Sequence, residues 1–364
     1  MFRAFRRQSV VIASLLVAPL ILAAQRRPNE EMRPSTIPTD STVYSRLRWR
    51  HVGPEGNRVT SVTGVSGDPN VYYAGAASGG IFKTTDGGIH WKAIADSLPV
   101  SSIGSLAVAP SDPNVVWAGT GEPFIRSNIS LGWGTWKSTD AGKHWERAGL
   151  ENTGRISRIV IDPKDPDRVY VASLGRAYGP QPERGIFRTT DGGKTWTKVL
   201  FVNDSTGASD LIMDPSNPRV LFAGMWQIEV HTWGRTSGGK GSGIWTSRDG
   251  GTTWARITDH GLPKLTIGKV GLGMSAANPN RIYALIETGD GVPRANGDST
   301  SAGRLFRSDD GGMNWALVSS DRQMAGRTHY YNRFGVTPDN ANEAYFLSAA
   351  WSKTLDGGQT IIDP

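Results

Sequence analysis

The chain is built from six repeats in which apolar strands alternate with short polar turns. In each repeat two apolar stretches flank a polar turn, as in GVSGDPNVYYAG and VIDPKDPDRVYVA. Pro presets φ and Asp or Asn caps the backbone, so these segments predict tight turns between antiparallel strands. A third strand, a Gly-rich turn and a strand that begins at Trp then follow. The pattern predicts four strands per repeat, which we name a, b, c and d in chain order.

The Gly-rich turn between strands c and d is the most regular part of the repeat. Its six copies are KTTDGGIHW, KSTDAGKHW, RTTDGGKTW, TSRDGGTTW, RSDDGGMNW and KTLDGGQTI, with aspartates Asp86, Asp140, Asp191, Asp249, Asp310 and Asp356. The spacing of about 50 residues is typical of a propeller. Gly can adopt positive φ, while the Ser or Thr hydroxyl and the Asp carboxylate can bond the turn's own N–H groups. Six aspartates in one role indicate turn stabilisation rather than catalysis.

The repeat predicts an all-β fold, a β-propeller of six four-stranded antiparallel blades. Blades are expected at about 58–94, 102–148, 155–199, 207–257, 266–318 and 331–364, within a propeller domain at 43–364. The last repeat has Ile361 in place of Trp. Residues 46–53 contain RWRHV, which is similar to the start of strand d elsewhere, so we expect Trp49 and its neighbours to close the ring and leave no exposed edge. The alternative is a fragment of a larger propeller, in which Trp49 pairs with a blade outside this chain.

These sequences resemble the Asp-box, or bacterial neuraminidase, repeat from about residue 46 to residue 364. Stretches such as VYYAG and GIFKTTDGGIHW are similar to those of bacterial proteins related to the sortilin ectodomain. More distantly, they are similar to xyloglucan-cleaving glycosidases, sialidases and the photosystem II assembly factor. All of these are β-propellers, so the resemblance implies the same fold as the repeat period.

The N-terminus predicts export. Three arginines precede an apolar run at 10–24 that ends in small residues, so residues 1–24 are typical of a signal peptide, and the polar, Pro-rich segment 25–42 of a flexible leader. We therefore expect a periplasmic, cell-surface or secreted protein with no membrane span after cleavage. The chain lacks Cys, so its core must supply stability without disulfides. Removing the signal peptide lowers the formal charge from +7 to 7 − 3 = +4, and the remaining cations lie among acids, which argues against a nucleic-acid partner.

Long loops predict the binding face. The a–b and c–d turns are nearly constant in length, whereas the b–c loops of the second to fifth blades are long and rich in aromatic and charged residues. Long loops on one rim of a rigid ring commonly bind ligands. The candidate ligand-binding residues are Arg58, Arg126, Asn128, Trp133, Arg155, Arg176, Tyr178, Arg184, Trp226, Trp233, Arg235, His329, Tyr330, Tyr331 and Arg333. The alternative is that these loops only pack on one another.

The start of each strand a should lie nearest the central channel. Aligned repeats place Arg58, Ser102, Arg155, Gly207, Gly268 and Tyr330 in one ring, and Ser61, Ser105, Arg158, Asp210, Gly271 and Arg333 in a second ring. Several arginines around one axis could hold a carboxylate or another anion. Alternatively, they bond strand-end carbonyls or pair with Asp210.

The sequence favours a binding or scaffold module over an enzyme. The resemblance to xyloglucan-cleaving glycosidases implies a catalytic Asp where this chain has Ala77, and the Arg signature implied by the sialidases is absent. The candidate catalytic carboxylates are Glu122, Glu183 and Asp210, since glycoside hydrolysis needs two converging acids. We expect no cofactor and no metal. The predicted partner is an extracellular polypeptide or glycan on the b–c/d–a face, and the alternative is a glycoside hydrolase acting there.

Overall fold

A computed structural model of the protein describes residues 58–126, 128–289 and 302–363. The predicted signal peptide (1–24), leader (25–42) and closing strand (46–53) lie outside these residues. The described residues belong to one compact unit. They form six antiparallel sheets that follow one another along the chain, and strands that are consecutive in sequence are neighbours in each sheet apart from one added strand.

The first three blades contain four strands each. Blade 1 contains β1 (Val59–Val65), β2 (Asp68–Ala76), β3 (Ile81–Thr84) and β4 (Lys92–Ala93). Blade 2 contains β5 (Ile103–Ala109), β6 (Asp112–Thr120), β7 (Thr135–Ser138) and β8 (Glu146–Arg147). Blade 3 contains β9 (Ile156–Asp162), β10 (Asp165–Ser173), β11 (Gly185–Thr189) and β12 (Thr197–Leu200). Single turns of 3-10 helix lie at Glu151–Thr153 and Arg322–Met324.

The last three blades vary more in strand number. Blade 4 contains β13 (Thr206–Met213), β14 (Leu221–His231), β15 (Gly234–Ser237), β16 (Gly243–Ser247) and β17 (Ala255–Ile257). Blade 5 contains β18 (Ile267–Ser275), β19 (Asn278–Thr288), β20 (Ala302–Ser308) and β21 (Ala316–Ser319). Blade 6 contains β22 (Arg333–Val336), β23 (Ala344–Leu347) and β24 (Trp351–Thr354).

The predicted six-bladed propeller is confirmed. The inner strands β1, β5, β9, β13, β18 and β22 pack in that order, and side chains from all six line a central channel. In blade 6 a bridge between Lys353 and Ile362 marks the start of a fourth strand. Blade 4 differs from the prediction because its b–c loop extends β14 through His231 and pairs it with β15 as a projecting hairpin.

Each Gly-rich turn between strands c and d, called a box below, forms the hydrogen bonds that its residues predict. In blade 3 the Thr189 hydroxyl donates to Asp191 Oδ1 (2.7 Å) and accepts from the N–H of Gly193 (3.0 Å). The same Oδ1 accepts from the N–H of Thr195 (2.9 Å). Equivalent bonds recur in the other five boxes. Gly192 and Gly193 have φ of +71° and +94°, values that favour glycine.

The a–b turn supports the box in every blade. In blade 3 the N–H of Gly192 donates to the carbonyl of Asp167 (3.1 Å), and the corresponding bond is present in the other five blades. The two kinds of turn therefore lie on one face, as predicted, and the long b–c loops lie on the opposite face.

The boxes should make the fold sensitive to acid. Their backbone and side-chain hydrogen bonds hold the pKa of Asp86, Asp310 and Asp356 at about 2, below the ordinary value. A carboxyl group whose pKa is lower in the folded state than in the unfolded state stabilises the fold at pH values above the unfolded-state pKa, which is near 4. This stabilisation is lost as the pH falls toward 2. We expect the Tm to fall between pH 5 and pH 2, and Asp310→Asn to make that fall shallower.

The control for this prediction is Asp96→Asn, which changes an exposed carboxyl outside the boxes. It should leave the slope of Tm against pH at its wild-type value. Equal slopes for Asp310→Asn and wild type in thermal denaturation would contradict the role given to the box carboxylates.

Five apolar clusters fill the interfaces between successive blades, from blade 1 against blade 2 to blade 5 against blade 6. The box Trp contributes to these interfaces. Trp196 of blade 3 donates from Nε1 to the carbonyl of Ala148 in blade 2 (2.7 Å), and its ring meets Trp117 edge-on with centroids 6.0 Å apart. In blade 6, Ile361 packs at the corresponding interface with blade 5.

Candidate functional site

A cavity of about 600 Å³ lies between blade 1 and blade 6. Inner strands β1 and β22 form two of its walls, and Phe124 from the b–c loop of blade 2 reaches it. The side chains that give it chemical character are Arg58, Phe124, Arg158, Tyr330, Tyr331 and Arg333. Four of the predicted ligand-binding residues, Arg58, Tyr330, Tyr331 and Arg333, therefore meet in one place.

Arg58 lies directly before β1, and Glu122 and Tyr330 hold its guanidinium group in place. It pairs through both guanidinium nitrogens with the carboxylate of Glu122, with Nη2 3.2 Å from Oε2, and Nη1 donates to the Tyr330 hydroxyl (2.9 Å). Burial alone would lower the pKa of Arg58, but the bonds to Glu122 and Tyr330 outweigh it and raise that pKa. Arg126 approaches the same carboxylate, with Nε 3.5 Å from Oε1. Glu122 is thus a buried anchor for two arginines.

The second ring predicted from the repeats is present. Its members occupy equivalent register positions at the start of the inner strands. Within it Arg158 Nε donates to Asp210 Oδ1 (2.7 Å), and Arg333 Nη1 lies 3.4 Å from the same oxygen. The N–H of Leu272 donates to Oδ2 (3.0 Å). Burial alone would raise the pKa of Asp210, but Arg158 and Arg333 hold it below its usual range.

Lys269 lies buried beside this ring and was not predicted from the sequence. Its Nζ is 3.3 Å from the carbonyl of His329 and 3.4 Å from that of Tyr330, and it lies over the ring of Phe124 at 4.9 Å. Burial, together with the charge of Arg333, lowers the pKa of Lys269 to about 7. Lys269 therefore fastens the loop that carries Tyr330 to the wall of the cavity. A lone Lys at a strand start carries no sequence signal for such a role.

Aromatic rings give the cavity an apolar side. Tyr330 and Tyr331 meet edge-on with centroids 4.5 Å apart, and Phe124 lies 5.9 Å from Tyr330. The guanidinium of Arg333 lies 5.6 Å from the Phe124 ring. Cations beside aromatic faces suit a ligand that combines an anionic group with a flat or apolar part.

Three predicted ligand-binding residues are buried instead. Arg184 is fully buried and donates to four backbone carbonyls, those of Arg176, Gly179, Ser205 and Ile228. Arg155 is 1% exposed and points at the carbonyl of Gly175, and Trp226 is fully buried with Nε1 bonded to Ser237 Oγ (3.0 Å). These side chains hold the rim loops together. For this part of the face the structure therefore agrees with the alternative that the loops pack on one another.

Other predicted residues remain on the outer rim. Trp133, Tyr178 and Trp233 are exposed, and Asn128 and Arg176 are exposed beside them on the same loops. Trp233 stacks on His231 at the tip of the β14–β15 hairpin with centroids 4.9 Å apart, and the guanidinium of Arg147 lies 3.8 Å over Trp133. Arg235 contacts His329 (Nη2 to Nδ1, 3.0 Å), linking this hairpin to the loop before β22.

The candidate catalytic carboxylates are not gathered in the cavity. Among the described residues, none of the side chains that line it is Asp or Glu. Glu122 and Asp210 are 1% and 2% exposed, and both are ion-paired with arginines. Glu183 lies in the blade 3 loop, where its Oε2 accepts from Gln181 Nε2 (3.3 Å). Residues 58–126, 128–289 and 302–363 also hold no group of three side chains that could bind a metal ion.

Comparisons with known proteins agree with this architecture. The Sortilin-Vps10 family, described as sortilin, neurotensin receptor 3, matches residues 134–291. A xyloglucanase from Paenibacillus sp is 24% identical over 216 residues, which is 56% of this chain and 18% of that enzyme. A xyloglucanase from Hypocrea jecorina is 30% identical over 121 residues, covering 31% of this chain and 13% of that enzyme. The chain spans about a fifth of the length of the curated relatives that it matches.

Solved structures share the fold. The GH74 enzyme of Niastella koreensis superposes with a TM-score of 0.61 at 20% identity over 82% of this chain and 45% of that one. A structure of YCF48 bound to D1 peptide superposes with a TM-score of 0.53 at 18% identity, covering 84% and 82% of the two chains. In the described part of the chain, no helix has the length and apolar character needed to cross a membrane. The protein is thus a β-propeller that resembles sortilin-like proteins and xyloglucanases.

Proposed function

We propose that the protein is an exported binding module that recognises an extracellular polypeptide or glycan on its b–c/d–a face. In this proposal an anionic group of the ligand enters the cavity between blades 1 and 6. The observation that carries it is the cavity lining, which combines guanidinium groups and aromatic rings without a carboxylate. Planar guanidinium groups match carboxylate and other oxyanions well.

The balance of charge supports an anionic ligand. Arg58 and Arg126 share Glu122, and Arg158 and Arg333 share Asp210, so these two ion-paired groups hold four cations against two acids and carry 4 − 2 = 2 excess positive charges. Arg58 is about one-third exposed, so it can offer a free N–H to a ligand while its pair with Glu122 fixes its position. A cation that is already oriented loses less entropy on binding than a free one.

The rim extends the proposed site beyond the cavity. Trp133, Tyr178 and Trp233 present exposed rings on three neighbouring loops. Such rings can stack on a sugar or pack on apolar side chains. A peptide or glycan could therefore place its anionic group in the cavity and its body across the rim.

Arrays of glycans and of extracellular peptides, each followed by product analysis, test this proposal. We expect retention of anionic members, with the bound molecules recovered unchanged. Retention of neutral members alone, or of none, would refute an anion-recognising module.

A glycoside hydrolase is the second candidate, because the xyloglucanases are among the similar proteins. Hydrolysis needs two carboxylates that converge on an open cleft. Glu122 and Asp210, the two buried candidate carboxylates, are ion-paired with arginines. Ala77 occupies the position where the resemblance to xyloglucan-cleaving glycosidases implies a catalytic Asp.

We accordingly expect no reducing sugar to be released from xyloglucan by the wild-type protein. If sugar is released, loss of that activity in Glu122→Gln, Glu183→Gln or Asp210→Asn would support a hydrolase built on these acids. Activity that survives in all three would show that catalysis uses other residues.

A further inference from the structure

Lys269 is a buried cation at a position that is apolar in the first four blades. It lies two residues before the second-ring member of β18, and the equivalent residues of blades 1 to 4 are Val59, Ile103, Ile156 and Ala208. Lys269 itself is only 3% exposed. Burying an ammonium group is costly unless polar groups replace its water, so the partners of Lys269 indicate its role.

The partners of Lys269 Nζ include the backbone of the loop that carries Tyr330. The ammonium group donates to the carbonyls of His329 (3.3 Å) and Tyr330 (3.4 Å). It also lies 4.9 Å from the ring centroid of Phe124 and 5.3 Å from that of Trp226. A cation interacts more strongly with carbonyl oxygens and aromatic faces than a neutral amine does. The strength of this attachment therefore depends on the charge of Lys269.

The attached loop contributes directly to the cavity. The hydroxyl of Tyr330 accepts from Arg58 Nη1 (2.9 Å), and both residues line the cavity. A second attachment of the loop is the bond from Arg235 Nη2 to His329 Nδ1 (3.0 Å). A change in the attachment at Lys269 would move Tyr330 and alter the orientation of Arg58. Lys269 can thus act on the cavity without contacting a ligand.

Charged groups on several elements face Lys269. Burial, and then the charge of Arg333 on β22, lowers the pKa of Lys269 to about 7, whereas Glu287 on β19 and Asp210 on β13 act in the opposite direction. Glu287 also accepts from the N–H of Lys269 (2.9 Å). His329 has a pKa lowered to about 4 by burial and nearby cations, so it is neutral above pH 5. The other charged side chains of the surrounding loops and hairpin are Arg58, Glu122, Arg126, Arg235 and Arg327.

We propose that Lys269 is a positioning residue of the cavity, and that loss of its charge at alkaline pH loosens the loop of Tyr330 and lowers the affinity for an anionic ligand. The effect on affinity rests on the proposed function, whereas the loosening of the loop does not. When Lys269 is protonated, it fastens the loop and adds a positive charge near the cavity. When it is neutral, both contributions weaken, so the affinity falls as the pH rises through the range in which Lys269 titrates.

Hydrogen exchange of the full chain without ligand tests the loop. The N–H groups of Tyr330 and Tyr331 donate to the carbonyl of Arg327 (2.8 and 2.7 Å), so their protection reports how firmly the loop is held. After correction for intrinsic exchange rates, we expect wild-type protection to be about tenfold lower at pH 9 than at pH 6. Lys269→Met should show the lower protection at both pH values. Equal wild-type protection at the two pH values would overturn the proposal.

Calorimetric titration with benzenesulfonate tests the affinity, because this probe joins an anionic group to a flat ring and keeps its charge between pH 6 and pH 9. We expect the wild-type Kd to rise about fivefold or more between these pH values and the Kd of Lys269→Met to stay constant. Lys143→Met, which changes an exposed lysine on the opposite face, is the matched control and should behave like wild type.

The outcomes of the titration separate the two proposals. A wild-type Kd that does not change with pH would overturn the role of Lys269 and leave the anion-recognising function standing. Absence of benzenesulfonate binding at both pH values would count against the proposed function, and the exchange measurement would then decide alone on Lys269.

A second variant guards against misfolding of Lys269→Met. Glu287→Gln keeps an acceptor for the N–H of Lys269 but removes a neighbouring negative charge, and this removal lowers the pKa of a lysine. We expect the midpoint of the exchange profile to move to lower pH by about half a unit or more. Asp96→Asn should leave the midpoint unchanged. A wild-type midpoint in Glu287→Gln would contradict control of the loop by the charge of Lys269.

Discussion

Replacing Asp210 by alanine should lower the free energy of unfolding by about 3–5 kcal/mol, the range for removing one partner of a buried ion pair. Asp210 is 2% exposed and accepts from two arginines and from the N–H groups of Leu211 and Leu272. The variant would leave Arg158 and Arg333 facing each other without a counter-charge. It would also break links that join inner strands β9, β13, β18 and β22. Denaturant unfolding of both proteins measures the difference.

Two further variants, Asp210→Asn and Asp96→Ala, separate the effect of losing the buried charge from other effects of substitution. Asp210→Asn keeps an acceptor of similar size but loses the charge, so we expect a destabilisation that is smaller than for alanine. Asp96→Ala removes an exposed carboxyl and should change the free energy of unfolding by less than about 0.5 kcal/mol. An Asp210→Ala protein as stable as wild type would show that the ring of arginines does not depend on this carboxylate.

Arg58→Gln should weaken binding of an anionic ligand by about 10- to 100-fold. A hydrogen bond to a charged group contributes about 1.5–3 kcal/mol, and each 1.4 kcal/mol is a factor of ten in affinity. Arg58 is suited to this role because it lines the cavity, is partly exposed and is oriented by Glu122 and Tyr330. Titration with a ligand retained on the arrays measures the change in Kd.

Loss of Arg58 also leaves Arg126 as the one ion-pair partner of the buried Glu122. Arg58→Gln could therefore weaken binding by destabilising the fold and not by removing a contact with the ligand. The double variant Arg58→Gln/Glu122→Gln removes both charges and should bind as weakly as Arg58→Gln while regaining stability. Arg219→Gln, an exposed Arg on the opposite face, is the matched control and should bind like wild type. Wild-type affinity in Arg58→Gln would remove this residue from the site.

The fold could be predicted from the sequence because its determinants are local and repeated. Each box contains its own hydroxyl, carboxylate and glycines, and the structure shows these groups bonded to one another within five residues. Repetition also set the register of the inner strands, so the ring that contains Arg158, Asp210 and Arg333 was predictable. The β14–β15 hairpin was not predictable, because a long loop gives no sign of which residues will pair.

The site was predictable in part. Residue type singled out Arg58, Tyr330 and Arg333, which line the cavity, but it could not separate them from Arg184 and Trp226, which are fully buried. Burial of a loop side chain depends on which other loops cover it, and those loops lie in different repeats. Glu122 was singled out as a candidate acid, whereas the structure shows a carboxylate that orients two arginines.

The most direct test of an anion-recognising cavity compares one ligand in two forms, with its acidic group free and with that group converted to a neutral amide or ester. Calorimetric titration of wild type should give at least about tenfold tighter binding for the anionic form, and the difference should fall below about threefold in Arg58→Gln. Equal affinity of wild type for the two forms would contradict the account.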